Sequence, residues 1–189
     1  MNEKTFSYRL LSSAFGNVGV VWKQDQTGTT PMIVRIFLPR EGLKMKKQMG
    51  ECYPSASSGS HPLIDPVIDQ LGRYLSGEAV EFSLGRLDLS LCGAFQQKVL
   101  QADFQIPRGK VTPYSGLACR LSAPRAARAV GTALARNPFP LIIPCHRVVR
   151  SDGMLGGFGG GLKMKKALLE MEGVAFDRSG RVQKAYLWP

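Results

Sequence analysis

Histidine is scarce in this chain: of 189 residues, only His61 and His146 are of that type. The four cysteines (Cys52, Cys92, Cys119 and Cys145) lie far apart, with no CxxC pair among them. Such a set does not supply the converging ligands of a zinc site, so no metal is expected. In a reducing compartment the same scatter argues against a disulfide framework. No run of about 18 apolar residues exists, so neither a transmembrane helix nor a membrane partner is expected. The opening MNEKTFSYRLLSS has no apolar core or small-residue cleavage site. No signal peptide is therefore read there, and a cytoplasmic location is expected. A GK[ST] phosphate loop and a dinucleotide fingerprint before a helix are also missing, and no cofactor is expected.

Acidic residues are scarce in one half only. Residues 1–93 hold 10 Lys/Arg against 9 Asp/Glu, whereas residues 94–189 hold 15 against 5. Nearly all of the net charge of +11 therefore lies in the second half. This asymmetry fits a polyanionic partner, and it fits a merely soluble basic surface equally well. An amphipathic membrane-binding helix fits less well, because the basic residues are spread over loops as well as helices.

Two domains are expected, 1–90 and 91–189. In the first, FSYRLL, GVVWKQ and MIVRIFLP read as strands separated by the turn-rich FGN and DQTGTTP, an antiparallel meander. Residues 41–60 are polar and small, and read as a mobile connection. HPLIDPVIDQLGRYLSG follows as a helix with Pro62 in its first turn, Pro66 tolerated just after, and Gly77 closing it. Glu78, Glu81 and Asp88 read as solvated charges, and no catalytic cluster is visible in this half.

In the second half AFQQKVLQADF reads as a helix ended by Ile106-Pro107-Arg108-Gly109. Tyr114–Leu121 reads as a short helix, and Ser122 as the cap of PRAARAVGTALAR, with Pro124 in its first turn. Two short helices joined by a brief turn in a basic domain have helix-turn-helix proportions. Leu141-Ile142-Ile143 reads as a strand leading into a Pro-Cys-His turn. A glycine-rich loop, SDGMLGGFGGG, and a final helix, LKMKKALLEMEG, ending at Gly173 follow.

Three features carry chemistry. Cys145 stands beside His146, and a thiol with a pKa near 8.5 needs such a base to act as a nucleophile. Neighbours in an extended segment point to opposite sides, so a bridging water would have to connect them. The base needs an orienting carboxylate; Glu172 comes first, with Glu170 and Asp103 behind it. A buried structural thiol remains the other reading of Cys145. The second feature is the small-sided stretch Ala126, Ala127, Ala129, Gly131, which can lie close to a backbone or in a groove. Arg128 within it is either a reaching cation or a solvated charge. The third is the run Gly156, Gly157, Gly159, Gly160 and Gly161, which lets backbone approach a flat ligand or the Cys145 turn.

Taken in order, IPRGKV (106–111), Tyr114, AARAVGTAL, NPFPLIIPCHRVV, the glycine loop and LLEMEG (168–173) resemble one family. It is that of the methylated-DNA–protein-cysteine methyltransferases, the O6-alkylguanine-DNA alkyltransferases. The resemblance runs from about Phe95 to Gly173, and PCHRVV is its most specific part. It implies an α+β fold: a ribonuclease-H-like antiparallel sheet with a helix, then a winged helix-turn-helix domain. It implies that Cys145 accepts the alkyl group, with His146 as a base through water and Glu172 orienting it. Asn137 would brace the Cys145 turn, and Arg128 would fill the base stack from a helix in the minor groove. Ala126, Ala127, Ala129 and Gly131 would line that groove. Tyr114 would donate near the flipped guanine, with Val148, Phe158, Gly159 and Gly160 around the base. The partner implied is double-stranded DNA carrying O6-alkylguanine, met by a monomer without cofactor or metal, one lesion per molecule.

Three departures from the family pattern stand out. Pro113 replaces a Ser or Thr, Phe158 replaces a tyrosine, and the N-terminal zinc ligands of some members are missing. Competing readings are a lesion-binding module without chemistry, a DNA-binding regulator with a redox-sensitive thiol, and a Cys/His hydrolase.

Overall fold

The computed structural model describes residues 5–24 and 30–188. Residues 1–4, 25–29 and 189 lie outside them, including most of the turn expected after the second strand. The architecture is α+β, in two compact units, one ending at Leu91 and the other starting at Cys92.

The first unit is built on β1 (Thr5–Ser13), β2 (Gly16–Gln24) and β3 (Met32–Phe37). Each pairs antiparallel with the next, and the sheet order is β3-β2-β1-β4. β2 is flanked on both sides, and Val18, Val20, Val21 and Trp22 on it are all buried.

Residues 41–60 are not a bare connection. They form α1 (Met45–Cys52) and a two-residue β4 (Ser57–Ser58) that pairs parallel with β1. The cause is a methionine pair at helical spacing: Met45 and Met49 share one helix face and join Val21, Val34 and Phe37 in a core cluster. Gly19 makes room for them, since a Cβ there would stand 2.5 Å from the Met49 sulfur. The polar residues between the methionines hid this two-point face.

α2 (Asp65–Leu75) starts later than residue 61, with Pro66 rather than Pro62 in its first turn. His61–Ile64 form a separate turn closed by Ile64 N–H donating to the His61 carbonyl at 2.9 Å. Asp88, which the sequence presents as a solvated charge, is buried. It is 6% exposed and paired with Lys23, not solvated. Burial opposes its charge, but bonds from Lys23 and Ser90 outweigh burial and hold its pKa below the usual value.

The second unit starts with α3 (Ala94–Phe104), which buries Val99, Leu100 and Asp103. After β5 (Thr112–Pro113) come α4 (Tyr114–Arg120) and α5 (Ala127–Ala135), linked by a 3-10 turn at Pro124–Ala126. Ser122 does not cap that second helix. It takes a φ of 55° and donates its N–H to the Cys119 carbonyl, so it ends α4 instead. α5 turns Val130, Ala133 and Leu134 inward.

Leu141–Ile143 is not a strand. Prolines at 138, 140 and 144 remove the amide donors a ladder needs, and Leu141 takes a φ of 76°. The segment is a buried turn in which Phe139, Leu141, Ile142 and Ile143 are each at most 2% exposed. It leads into a 3-10 turn, Cys145–Arg147, and then β6 (Val148–Val149), which pairs parallel with β5. α6 (Gly161–Met171) ends at Gly173, whose φ of 87° suits a residue without Cβ. Beyond it, Val174 and Val182 join Val111, Val149 and Leu169 in a core cluster.

Among the described residues no helix is long and apolar enough to cross a membrane. If Met49 anchors α1 to the sheet, Met49→Ala should lower unfolding free energy by about 2–5 kcal/mol in chemical denaturation.

Candidate active site around Cys145

Cys145 opens the 3-10 turn that follows the buried Leu141–Pro144 segment, and is partly exposed. Asn137 ties this region together. Its Nδ2 donates to the Ile143 carbonyl at 3.0 Å, and its Oδ1 accepts from Phe139 N–H at 2.9 Å. Burial pushes the Cys145 thiol up to about 12, and the Asp103 charge adds to this. A hydrogen bond from Asn137 and the Lys165 charge act in the opposite direction. The resting sulfur is therefore a thiol, and its proton must leave as it reacts.

His146 is fully buried behind Cys145. Of the three carboxylates considered for it, Glu172 is in contact: its Oε1 lies 3.0 Å from His146 Nε2. Glu170 points to the surface, 3.5 Å from Lys166, and Asp103 is buried on α3 with no hydrogen-bond partner on either oxygen among the described residues. Arg147 completes the cluster. Its Nε and Nη2 reach the two Glu172 oxygens at 2.9 and 2.8 Å, and Nη1 donates to the Ile106 carbonyl at 2.6 Å.

Burial works to raise the Glu172 carboxyl, but the hydrogen bond from His146 and the hydrogen bonds and charge of Arg147 overcome it and hold it far below the carboxylate range. Burial lowers the His146 pKa more than Glu172 raises it, so the resting imidazole is neutral. An ionised carboxylate only accepts, so Nε2 carries the proton and Nδ1 carries the basic lone pair.

Tyr114 starts α4 and is half-buried between two glycines. A Cβ on Gly131 would sit 3.8 Å from its ring, and one on Gly156 would sit 3.1 Å from its hydroxyl. Gly156 also holds a φ of 67°. Burial raises the Tyr114 pKa, and Cys145 and Asp103 raise it further. Phe158 meets His146 edge-on, with ring centres 6.1 Å apart. Gly159 is exposed, Gly160 precedes α6, and Val148 is buried. At the start of α5, Arg128 and Ala129 are exposed, while Ala126, Ala127 and Gly131 are half-buried.

Lys165 on α6 is fully buried, its Nζ donating to the Val148 carbonyl at 2.6 Å and to that of Gly157 at 3.3 Å. Burial pulls it down to about 8, against the nearby Cys145 and Asp103. Neither Lys165 nor Arg147 stands out from the sequence as a site residue. The signal was there for Lys165, which shares a helix face with Leu168, Leu169 and Glu172. For Arg147 only the fold reveals the partner, 25 residues away. Among the described residues no group of three or more His, Cys, Asp or Glu could hold a metal ion.

A thiol backed by a buried imidazole and carboxylate, beside a pair of short helices, is the frame of a cysteine-dependent transferase. The family model described as "6-O-methylguanine DNA methyltransferase, DNA binding domain" matches residues 94–174. The methylated-DNA–protein-cysteine methyltransferase of Methanothermobacter thermautotrophicus is 42% identical over 161 residues, 85% of this chain and 82% of its own length. A crystal structure of O6-methylguanine methyltransferase from Mycobacterium tuberculosis superposes with a TM-score of 0.70 at 33% identity, covering 89% of this chain and 93% of that one. A second, the OGT of that organism in complex with DNA, gives 0.70 at 33% identity over 88% of this chain and 92% of the other. The chain belongs to the methylated-DNA–protein-cysteine methyltransferase family.

Two outcomes are expected. Glu172→Gln should cost about 3–5 kcal/mol near neutral pH, the range for a buried pair that loses one partner. A depressed folded pKa stabilises above the unfolded value, so the gap between variant and wild type should narrow below about pH 4 in acid titration of stability.

Proposed function

We propose that this chain repairs DNA by moving the alkyl group from O6 of guanine in a duplex onto the sulfur of Cys145, once per molecule. The observation that carries the reading is the Cys145 turn with the His146–Glu172–Arg147 cluster directly behind it, in a chain of this family. DNA as partner is supported by the related structure that holds it, and by the basic excess of residues 94–189.

The O6 alkyl group is out of reach inside a stacked duplex, so the nucleotide has to turn out. α4 and α5 form the helix-turn-helix, within a winged domain at 91–189 that follows a ribonuclease-H-like domain at 1–90. Small residues Ala126, Ala127, Ala129 and Gly131 suit α5 to a minor groove only about 6 Å wide. Arg128, exposed on the same helix, fills the place the base leaves.

The thiol proton passes through water to His146 Nδ1, and the imidazolium formed is stabilised by Glu172, which Arg147 holds ionised. The sulfur attacks the alkyl carbon, the carbon–O6 bond breaks, and its electron pair goes to guanine. A proton from the Tyr114 hydroxyl neutralises the leaving base. Backbone at Val148 and Gly159, with Gly160 and the ring of Phe158, surrounds it. The thioether product is stable and no group in the site cleaves it, so turnover stops after one event. The protein works as a cytoplasmic monomer without cofactor.

Incubation with methylated duplex should add one methyl group to the intact protein, mapped to Cys145 by peptide mass spectrometry, and fresh substrate should add nothing more. Transfer by Cys145→Ala, or repeated turnover by wild type, would refute the proposal. If Arg128 fills the stack, Arg128→Ala should slow transfer from duplex by about tenfold or more, the scale of a lost kcal/mol or two. Transfer from free O6-alkylguanine should change little.

A further inference from the structure

Asp103 has no part in the chemistry described above, yet it is fully buried on α3 beside it. Neither carboxyl oxygen has a hydrogen-bond partner among the described residues. Its position on the inner face with Val99 and Leu100 is one an apolar residue would fill. A buried acid without partners keeps its proton unless a cation compensates. The charged and titratable groups that act on it or on which it acts come from three elements. They are Tyr114 on α4, Cys145 and Arg147 on the 3-10 turn, and Lys165 on α6. α3 also packs on α5, whose Arg128 and Arg136 are both exposed.

Resting on the reading of Cys145 as alkyl acceptor, we propose that Asp103 is a positioning residue that sets the charge beside that thiol. While Asp103 holds its proton, the buried Lys165 ammonium stands unopposed near the sulfur and favours the developing thiolate. When Asp103 loses the proton, the Asp103–Lys165 pair becomes neutral overall and the thiol is held back. Burial pushes Asp103 up to about 8, against the opposing Arg147 and Lys165 charges, while Lys165 comes down to about 8. The two therefore titrate as one coupled unit that sheds its net positive charge just above neutral pH. Its acceptance of an alkyl group is thus braked from the alkaline side.

The test compares wild type with Asp103→Asn and Asp103→Leu, both permanently uncharged at that position. Two rates are read at Cys145 by peptide mass spectrometry: alkylation by iodoacetamide, and methyl transfer from methylated duplex. The ratio of variant to wild-type rate should be smallest at about pH 6.5 and grow by about threefold or more by about pH 9, a range spanning the ionisation of a carboxyl shifted this far. A ratio that stays flat with pH, as a loss of packing alone would give, overturns the proposal. Asp103→Leu serves if the asparagine does not fold. If wild type forms no methyl adduct while the iodoacetamide ratio still rises, the alkyltransferase reading fails and the role of Asp103 stands. If wild type accepts methyl and both ratios are flat, Asp103 is refuted alone.

Discussion

The second unit depends on one buried carboxylate. Glu172 receives His146 on one oxygen and Arg147 on both, and Arg147 in turn holds the Ile106 carbonyl. These bonds join the end of α6, the Cys145 turn and the segment after α3. Burying an anion is costly unless its lone pairs are met, and here they are met by groups from the turn that carries the thiol. The same bonds fix which imidazole nitrogen is basic. Stability and the His146 tautomer therefore share a group, and the carboxylate cannot be lost without loosening the helix end.

The thiol is not poised as a resting thiolate. Burial outweighs the favourable Asn137 bond and Lys165 charge, so under the proposed function the reactivity rests on a proton path and not on a lowered ground-state pKa. A protonated thiol has a physical advantage wherever the sulfur must be kept intact, because the thiolate that would react with stray oxidants or electrophiles is rare. The Lys165 cation that acts on the sulfur is itself made easier to discharge by burial.

Much of this was legible in the chain. The meander, α3, α6 and the two-helix arrangement follow from apolar period and turn residues; the Cys-His pair with Glu172 as first-choice carboxylate follows from residue chemistry, and the family resemblance added their roles. What escaped had specific causes. α1 rests on only two methionines among lysines, too little apolar surface to stand out from a polar stretch. Leu141–Ile143 has the composition of a strand, but its flanking prolines decide otherwise. Asp88 and Asp103 look alike on paper. One is buried with a lysine and the other buried without a hydrogen bond, and only packing separates them. Arg147 stood within the most specific motif of the chain, yet its role lies in a contact across sequence distance that no local pattern encodes.

The ladder between β5 and β6 is two residues long, Thr112 with Val148 and Pro113 with Val149. One of its members is a proline, so few amide bonds hold it. Tyr114 follows the first strand directly, and Cys145 precedes the second by three residues. The separation of Tyr114 from Cys145 therefore depends on this short ladder together with their own rotamers. Sliding or splaying the ladder would change that separation with the neighbouring side chains left as they are.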